Sequence, residues 1–94
     1  RKDERRIAAE ARERTQSLRA AVKKAEAEVA RLSARRTEID RVMFDPGSYE
    51  GPEKNLTMTE LMKTRTEIER KLAAAEARWI EASEALEAAG LDAA

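Results

Sequence analysis

The fold is decided by residues 58–89, which read MTELMKTRTEIERKLAAAEARWIEASEALEAA. One set of positions in this stretch recurs at alternating spacings of three and four residues. Its members are Met58, Leu61, Arg65, Ile68, Leu72, Ala75, Trp79, Ala82, Leu86 and Ala89. This repeat is the a/d pattern of a coiled coil, in which one face of a helix pairs with another helix. The stretch therefore predicts a long helix with a partner.

The partner lies upstream, where the same repeat occurs. Its a and d positions are Leu18, Val22, Ala25, Val29, Leu32, Arg36, Ile39 and Met43. Residues 1–44 contain no glycine or proline, which predicts one continuous helix over residues 2–43. The repeat weakens before Leu18, where only Thr15, Ala11 and Ala8 continue it, so we expect this helix to bend, fray or change partner there.

Helix-breaking residues separate the two repeats and predict a loop over residues 44–56. They are Pro46, Gly47, Gly51 and Pro52. Thr57 and Glu60 match a capping box, which places the second helix at 57–89. Gly90 suits the residue after a helix, leaving a short tail at 90–94. Residues 1–94 are thus predicted to form one all-α domain, an antiparallel two-helix coiled-coil hairpin.

Two pairing registers satisfy the heptads. One sets Ala25 opposite Trp79 and Leu32 opposite Leu72, and the other sets Leu18 opposite Trp79 and Leu32 opposite Arg65. We favour the first, because it packs the large Trp79 ring against a small residue and burial outweighs exposed charge pairs. The predicted core is Leu18, Val22, Val29, Leu32, Ile39, Ile68, Leu72, Trp79 and Leu86.

Polar and aromatic residues at the loop end of the seam need an explanation. Arg36 and Arg65 occupy a positions, where apolar residues are usual. We expect both side chains to extend out of a narrow seam into solvent. The alternative is that they form a polar layer that specifies the register, with Asp40 or Glu69 as partners. The loop aromatics, Phe44 and Tyr49, are predicted to fold back and close the end of the hairpin.

Composition excludes several classes of function. There is no His and no Cys, so His/Cys metal sites and thiol or imidazole catalysis are excluded. The glycines fit no phosphate-binding loop, and a two-helix hairpin has no pocket in which to shift a catalytic pKa. We therefore predict no catalytic residues, no metal site and no cofactor in this segment. No apolar run approaches the roughly 20 residues that span a bilayer, so no membrane partner is expected.

A thin, alanine-rich seam predicts a monomer or a weak homodimer. Alanine accounts for 19 of the 94 residues, and we expect apolar side chains such as Val42 and Ile80 to remain partly exposed. Pairing between two hairpins through such side chains would give the weak dimer.

Charge is divided unequally between the halves. Residues 1–43 carry 13 Lys/Arg and 8 Asp/Glu, whereas residues 44–94 carry 6 and 11. The candidate nucleic-acid-binding residues are basic positions of the first helix, namely Arg5, Arg6, Arg12, Lys23, Lys24, Arg31 and Arg35. Of these, Lys23, Lys24 and Arg31 are outward b and c positions, suited to phosphate contact without sequence readout. The alternative to phosphate binding is that these basic residues only form a solubilising helix face. The acidic second helix is expected to repel phosphate on the flank of the first helix that it covers.

The order of motifs resembles a known family. Phe44-Asp45-Pro46 with Tyr49 forms the turn, and Glu76-Ala77-Arg78-Trp79 comes near the end of the second helix. Together with the Arg-rich opening at residues 1–6, these elements resemble the C-terminal coiled-coil domain of ABC-F ATPases of the Uup-like kind. The resemblance extends to about residue 89.

The resemblance implies a larger, cytoplasmic parent with two ATP-binding cassettes, in which ATP is bound upstream of this segment. The chain begins at Arg1 rather than Met, and we expect it to be a fragment of such an ATPase. The expected function is an accessory domain that binds DNA or ribosomal RNA through its basic first helix without strong sequence specificity. The alternative is a structural hairpin that docks on the parent's own ATP-binding cassettes or on a ribosomal protein.

Overall fold

The computed structural model describes residues 1–93, which form two long α-helices. Helix α1 spans Lys2–Phe44 and helix α2 spans Met58–Ala93. Two short 3-10 turns, Pro46–Ser48 and Pro52–Asn55, lie between them. No strand occurs within these residues, so the all-α prediction is confirmed. In the same part of the chain, no helix combines the length and the apolarity needed to cross a membrane.

Three of the four helix ends lie within one residue of their predicted positions. Helix α1 is continuous from Lys2 and extends one residue beyond the prediction, to Phe44. Before α2, the Thr57 hydroxyl accepts a hydrogen bond from the Glu60 backbone N–H at 3.1 Å, as a helix N-cap does. The hydroxyl in turn donates to the Glu60 carboxylate at 3.1 Å.

The fourth end differs from the prediction. Helix α2 continues through Gly90 to Ala93 instead of ending at residue 89. A glycine ends a helix when its backbone adopts positive φ, and no glycine of the described residues does so. Within a helix, glycine costs only about 1 kcal/mol relative to alanine, which the helix tolerates here. The predicted tail at 90–94 is thus helical up to Ala93, and Ala94 lies outside the described residues.

With increasing distance from the loop, progressively earlier residues of α1 contact progressively later residues of α2. Near the loop, the Arg65 Nε donates to the Asp40 carboxylate at 2.6 Å. Further from the loop, Leu32 packs with Leu72 and Ala75 in a buried cluster. Further still, the Trp79 indole N–H donates to Glu26 at 3.4 Å. These contacts match the register that sets Leu32 opposite Leu72.

Burial is concentrated in the half of the seam near the loop. Of the predicted core, Leu32, Ile39, Ile68 and Leu72 are buried. The predicted burial of Trp79 is wrong, because its side chain is 40% exposed. A seam between only two helices covers one side of so large a ring. The other four predicted core residues, Leu18, Val22, Val29 and Leu86, are half-buried.

The loop folds back on the seam through one of its two aromatic residues. Tyr49 is buried with Val42, Leu61 and neighbouring residues. Val42, which the sequence predicted to be partly exposed, is therefore covered by the loop, whereas Ile80 is exposed as predicted. The prediction for Phe44 is wrong: it is 77% exposed, because α1 extends through it and directs it away from the seam.

A polar network fixes the loop against α1. The Tyr49 hydroxyl donates to Glu53 at 2.5 Å, and the other Glu53 carboxylate oxygen accepts from Arg35. Gly51 lies against the same ring, since a Cβ at this position would fall 1.8 Å from the Tyr49 hydroxyl. The loop conformation therefore depends on a glycine at position 51.

Arg65 forms a polar layer in the seam. Its guanidinium binds Asp40 across the seam and Glu69 one turn away on its own helix. The hydrogen bond with Asp40 raises the pKa of Arg65 above its already high usual value. This geometry matches the polar-layer interpretation with both predicted partners, rather than a side chain that extends into solvent.

Candidate nucleic-acid interface

Six basic side chains from both helices lie along one edge of the helix pair. We call this edge the basic groove and define it by Lys24, Arg31 and Arg35 of α1 and Lys63, Lys71 and Arg78 of α2. Leu32 and Ile68 line the groove between the charges. The arrangement is a shallow polycationic strip rather than an enclosed pocket.

Heptad geometry explains why these residues share one edge. Arg35, Lys71 and Arg78 are g positions, and the g positions of two antiparallel helices flank the same side of the seam. Lys24 and Arg31 are c positions, which neighbour g on the helix surface. The balance of 6 Lys/Arg against 11 Asp/Glu in residues 44–94 hides this placement. Although α2 is acidic overall and was expected to repel phosphate, it presents Lys63, Lys71 and Arg78 along this edge. The g positions of Lys71 and Arg78 were the sequence signal for this placement.

Two carboxylates lie in the groove, and both are held by arginines. Arg31 donates to Glu28 at 2.6 Å, and Arg70 donates to Glu67 at 2.5 Å. These hydrogen bonds lower the pKa values of the Glu28 and Glu67 carboxyls below their ordinary range. Glu28 also experiences the positive charges of Lys71 and Arg78, which shows that residues of both helices converge on this edge.

The six basic side chains are not equally available to a ligand. Arg35 bridges Glu38 and Glu53 and therefore supports the loop. Arg31 is engaged by Glu28, and Lys71 is 4.0 Å from Glu67. Within residues 1–93, Lys24, Lys63 and Arg78 form no salt bridge. These three side chains are exposed, and they are therefore the ones most available to a ligand.

The other predicted binding residues lie away from the groove. Arg5 and Arg6 belong to the first ten residues, all of which are exposed, and Arg6 is 3.6 Å from Asp3 and 4.0 Å from Glu10. Arg12 lines a separate depression on α1. Lys23 is adjacent to Lys24 in sequence, but successive residues are rotated by about 100° around the helix, so Lys23 lies on a different face from the groove. The structure thus brings together only Lys24, Arg31 and Arg35 of the predicted set.

The opposite edge of the helix pair carries acidic side chains. Glu26 accepts from Trp79, while Asp40 and Glu69 accept from Arg65. Asp40 and Arg65 line a depression there that shares no residue with the basic groove. Each edge has charges of both signs, since Arg65 lies on this edge and Glu28 and Glu67 lie in the basic groove, but basic side chains are in excess only in the groove.

The chemistry available at the groove is hydrogen-bond donation to anions. Lysine and arginine are protonated at neutral pH and donate to phosphate oxygens, arginine in a bidentate manner. In the part of the chain that the structure describes, no group of His, Cys, Asp or Glu is arranged to hold a metal ion.

The residues behind the family resemblance lie in different environments. Tyr49 is buried under the loop, Phe44 and Trp79 are exposed, and Arg78 lies in the basic groove. No protein-family model, no curated protein and no solved structure matches this chain.

Proposed function

We propose that the chain is an antiparallel coiled-coil hairpin that binds the phosphate backbone of nucleic acid without strong sequence specificity. The observation that carries this proposal is the basic groove, where six basic side chains converge and three of them, Lys24, Lys63 and Arg78, form no salt bridge within residues 1–93. Contact between such side chains and phosphates releases condensed counterions, which supplies affinity independently of sequence.

The groove offers phosphate contacts rather than base recognition. None of the side chains that line it is aromatic, so it has no platform on which bases could stack. The groove is also shallow, and its long lysine and arginine side chains are suited to contacts with single phosphates of a nucleic-acid backbone. Weak discrimination between sequences follows from both features.

We further propose that the hairpin is the accessory C-terminal domain of a cytoplasmic ABC-F ATPase. The support is the turn from Phe44 to Tyr49 and the Arg78-Trp79 element. On this proposal ATP is bound by the upstream cassettes, and DNA or ribosomal RNA is the ligand of the hairpin, which acts as a monomer or a weak homodimer.

The test is a titration of the chain with duplex DNA and with a ribosomal RNA fragment, followed by fluorescence anisotropy. Dissociation constants of about 10⁻⁴ to 10⁻⁶ M are expected at physiological salt for contacts of this kind. Affinity for both ligands should fall steeply as salt rises from about 50 to 200 mM. Absence of binding, or binding that salt leaves unchanged, would contradict the proposal.

A second function is favoured by exposed apolar side chains near the loop. We call this patch the apolar tip and define it by Phe44, Met58 and Met62, which are 77%, 51% and 56% exposed. Phe44 and Met62 line the same depression. Such a patch supports docking on a protein surface, either the parent's cassettes or a ribosomal protein.

Phe44→Ser with Met62→Ser should then abolish salt-resistant co-sedimentation with ribosomes, or binding to the cassettes, while nucleic-acid affinity stays unchanged.

A further inference from the structure

We infer that α2 supplies half of the nucleic-acid site, with Lys63, Lys71 and Arg78 contacting phosphates together with Lys24 and Arg31 of α1. This inference rests on the proposed function and adds to it the binding residues and the length of backbone they contact. The ligand is a short stretch of polynucleotide backbone that lies along the basic groove, between the two rows of side chains.

The length of the groove sets the length of the contacted backbone. Lys24 and Arg78 mark one end, and Arg35 and Lys63 mark the other. At 1.5 Å per residue, the α1 row extends over about 16 Å and the α2 row over about 22 Å. Because each strand of a duplex advances about 3.4 Å per base pair, the groove covers roughly five to six base pairs.

The ion pairs in the groove determine how many phosphates it holds. Glu28 and Glu67 form salt bridges with Arg31 and Arg70, and neither forms one with Lys24, Lys63 or Arg78. Arg35 is committed to the loop through Glu53. Between about three and five side chains therefore remain for phosphates, and the logarithm of the affinity should fall with the logarithm of salt with a slope of about −3 to −4.5.

A site shared between two helices exists only while they are paired. Lys24 and Arg78 come together in one depression solely because α1 and α2 pack along the seam. A ligand that binds the paired form and not the separated helices shifts the folding equilibrium toward the paired form. Nucleic acid should therefore raise the melting temperature of the chain. Contacts made by residues 1–12 of α1 alone would not have this effect.

The experiment compares two triple variants with the same change in charge. The groove variant carries Lys63→Gln, Lys71→Gln and Arg78→Gln, and the control carries Arg5→Gln, Arg12→Gln and Lys23→Gln. A fluorescent 12-base-pair DNA duplex is titrated with each protein at several salt concentrations, and thermal melting is followed by circular dichroism with and without the duplex.

We expect the groove variant to lose at least about tenfold in affinity and to have a salt slope shallower by about 1.8 to 2.7, because each lost phosphate contact removes about 0.9 and the variant removes two or three contacts. The duplex should no longer raise its melting temperature. The control should keep a slope within about one of the parent's and should still be stabilised by the duplex.

The outcomes separate this inference from the proposed function. If the control loses affinity and the groove variant does not, α2 is not part of the site. If both lose equally, affinity follows the net charge of the chain and not the basic groove. Either result overturns the inference while nucleic-acid binding stands. If the parent chain binds neither duplex DNA nor ribosomal RNA, both fail. Should the triple variant unfold, Lys63→Gln with Arg78→Gln replaces it, because both side chains are exposed and neither forms a salt bridge within residues 1–93. The slope of this double variant should be shallower by about 1.8, which exceeds the change allowed for the control.

Discussion

At the scale of single residues, Leu72 and Trp79 occupy the same heptad position but contribute differently to stability. Leu72 is buried in the seam, and truncating a buried leucine to alanine costs about 2–5 kcal/mol. Trp79 has much of its ring in solvent, so Trp79→Ala should cost only about 1–2 kcal/mol, less than a fully buried tryptophan would. Urea denaturation followed by circular dichroism measures the free energy of unfolding of both alanine variants. Equal losses in the two variants would contradict this difference.

Gly51 is the residue on which the loop most directly depends. A Cβ at this position would overlap the Tyr49 hydroxyl, so Gly51→Ala must displace the ring and break its hydrogen bond to Glu53. We expect a loss of about 1–3 kcal/mol, the usual cost of overpacking. Gly47→Ala is the matched control, because a Cβ there meets no atom within 4 Å. Melting temperatures of the two variants should differ, and similar values would exclude the steric explanation.

At the scale of the helices, the Asp40–Arg65 layer is expected to specify the pairing register. Polar residues at a positions commonly fix the register of coiled coils at some expense of stability. Replacing Asp40 and Arg65 together with leucine should therefore leave the chain folded while admitting the other register, in which Thr15 rather than Val22 lies opposite Ala82.

Disulfide trapping measures this choice, and the chain has no native cysteine to interfere. A Cys pair at positions 22 and 82 should cross-link in the parent, and a pair at positions 15 and 82 should not. In the double leucine background the second pair should cross-link as well. A background in which only the first pair reacts would show that the apolar packing specifies the register by itself.

Acid should weaken the charge pairs that lie along each helix. The hydrogen bonds from Arg31 and Arg70 lower the folded-state pKa values of Glu28 and Glu67, so these pairs stabilise the fold above the unfolded pKa of about 4.3. That contribution is lost as pH falls through the lower, folded pKa values.

Melting temperature should therefore stay nearly constant between about pH 8 and 5 and decline below about pH 4. The decline should be small, because both pairs are solvent-exposed. Glu28→Gln should reduce its acid-dependent part and also tighten nucleic-acid binding at neutral pH, since the substitution removes a negative charge from the basic groove. Unchanged affinity would argue that Glu28 lies outside the contact area.

The two helices could be predicted from the sequence because their determinants are local. Heptad spacing, the Thr57 cap and the glycine and proline residues of the loop all act within a few residues. Burial of Tyr49 but not Phe44 depends on where the loop meets the seam, which no short segment encodes. The α2 half of the basic groove was missed for a related reason: summing charge over half the chain discards the positions of Lys71 and Arg78 around the helix.

At the scale of the whole molecule, the chain is a rod of 67 × 20 × 16 Å. A rod this thin leaves most side chains near solvent, and buried residues are confined to one narrow seam. Its two long edges differ in charge balance: basic side chains are in excess along the basic groove, and the other edge carries Glu26, Asp40 and Glu69 with Arg65. An isoelectric point near 6.6 describes the average of these edges and gives no indication of the polarity across the rod.

The position of Trp79 has an optical consequence. It is the single tryptophan of the chain, and its indole N–H reaches across the seam to Glu26. Its fluorescence emission should shift to longer wavelength when the helices separate and water surrounds the ring. Because the indole lies on the edge opposite the basic groove, polynucleotide bound there should neither quench nor shift this emission. Tryptophan emission thus reports helix separation, and a shift of its melting curve on addition of polynucleotide would report stabilisation of the paired helices rather than contact with the ring.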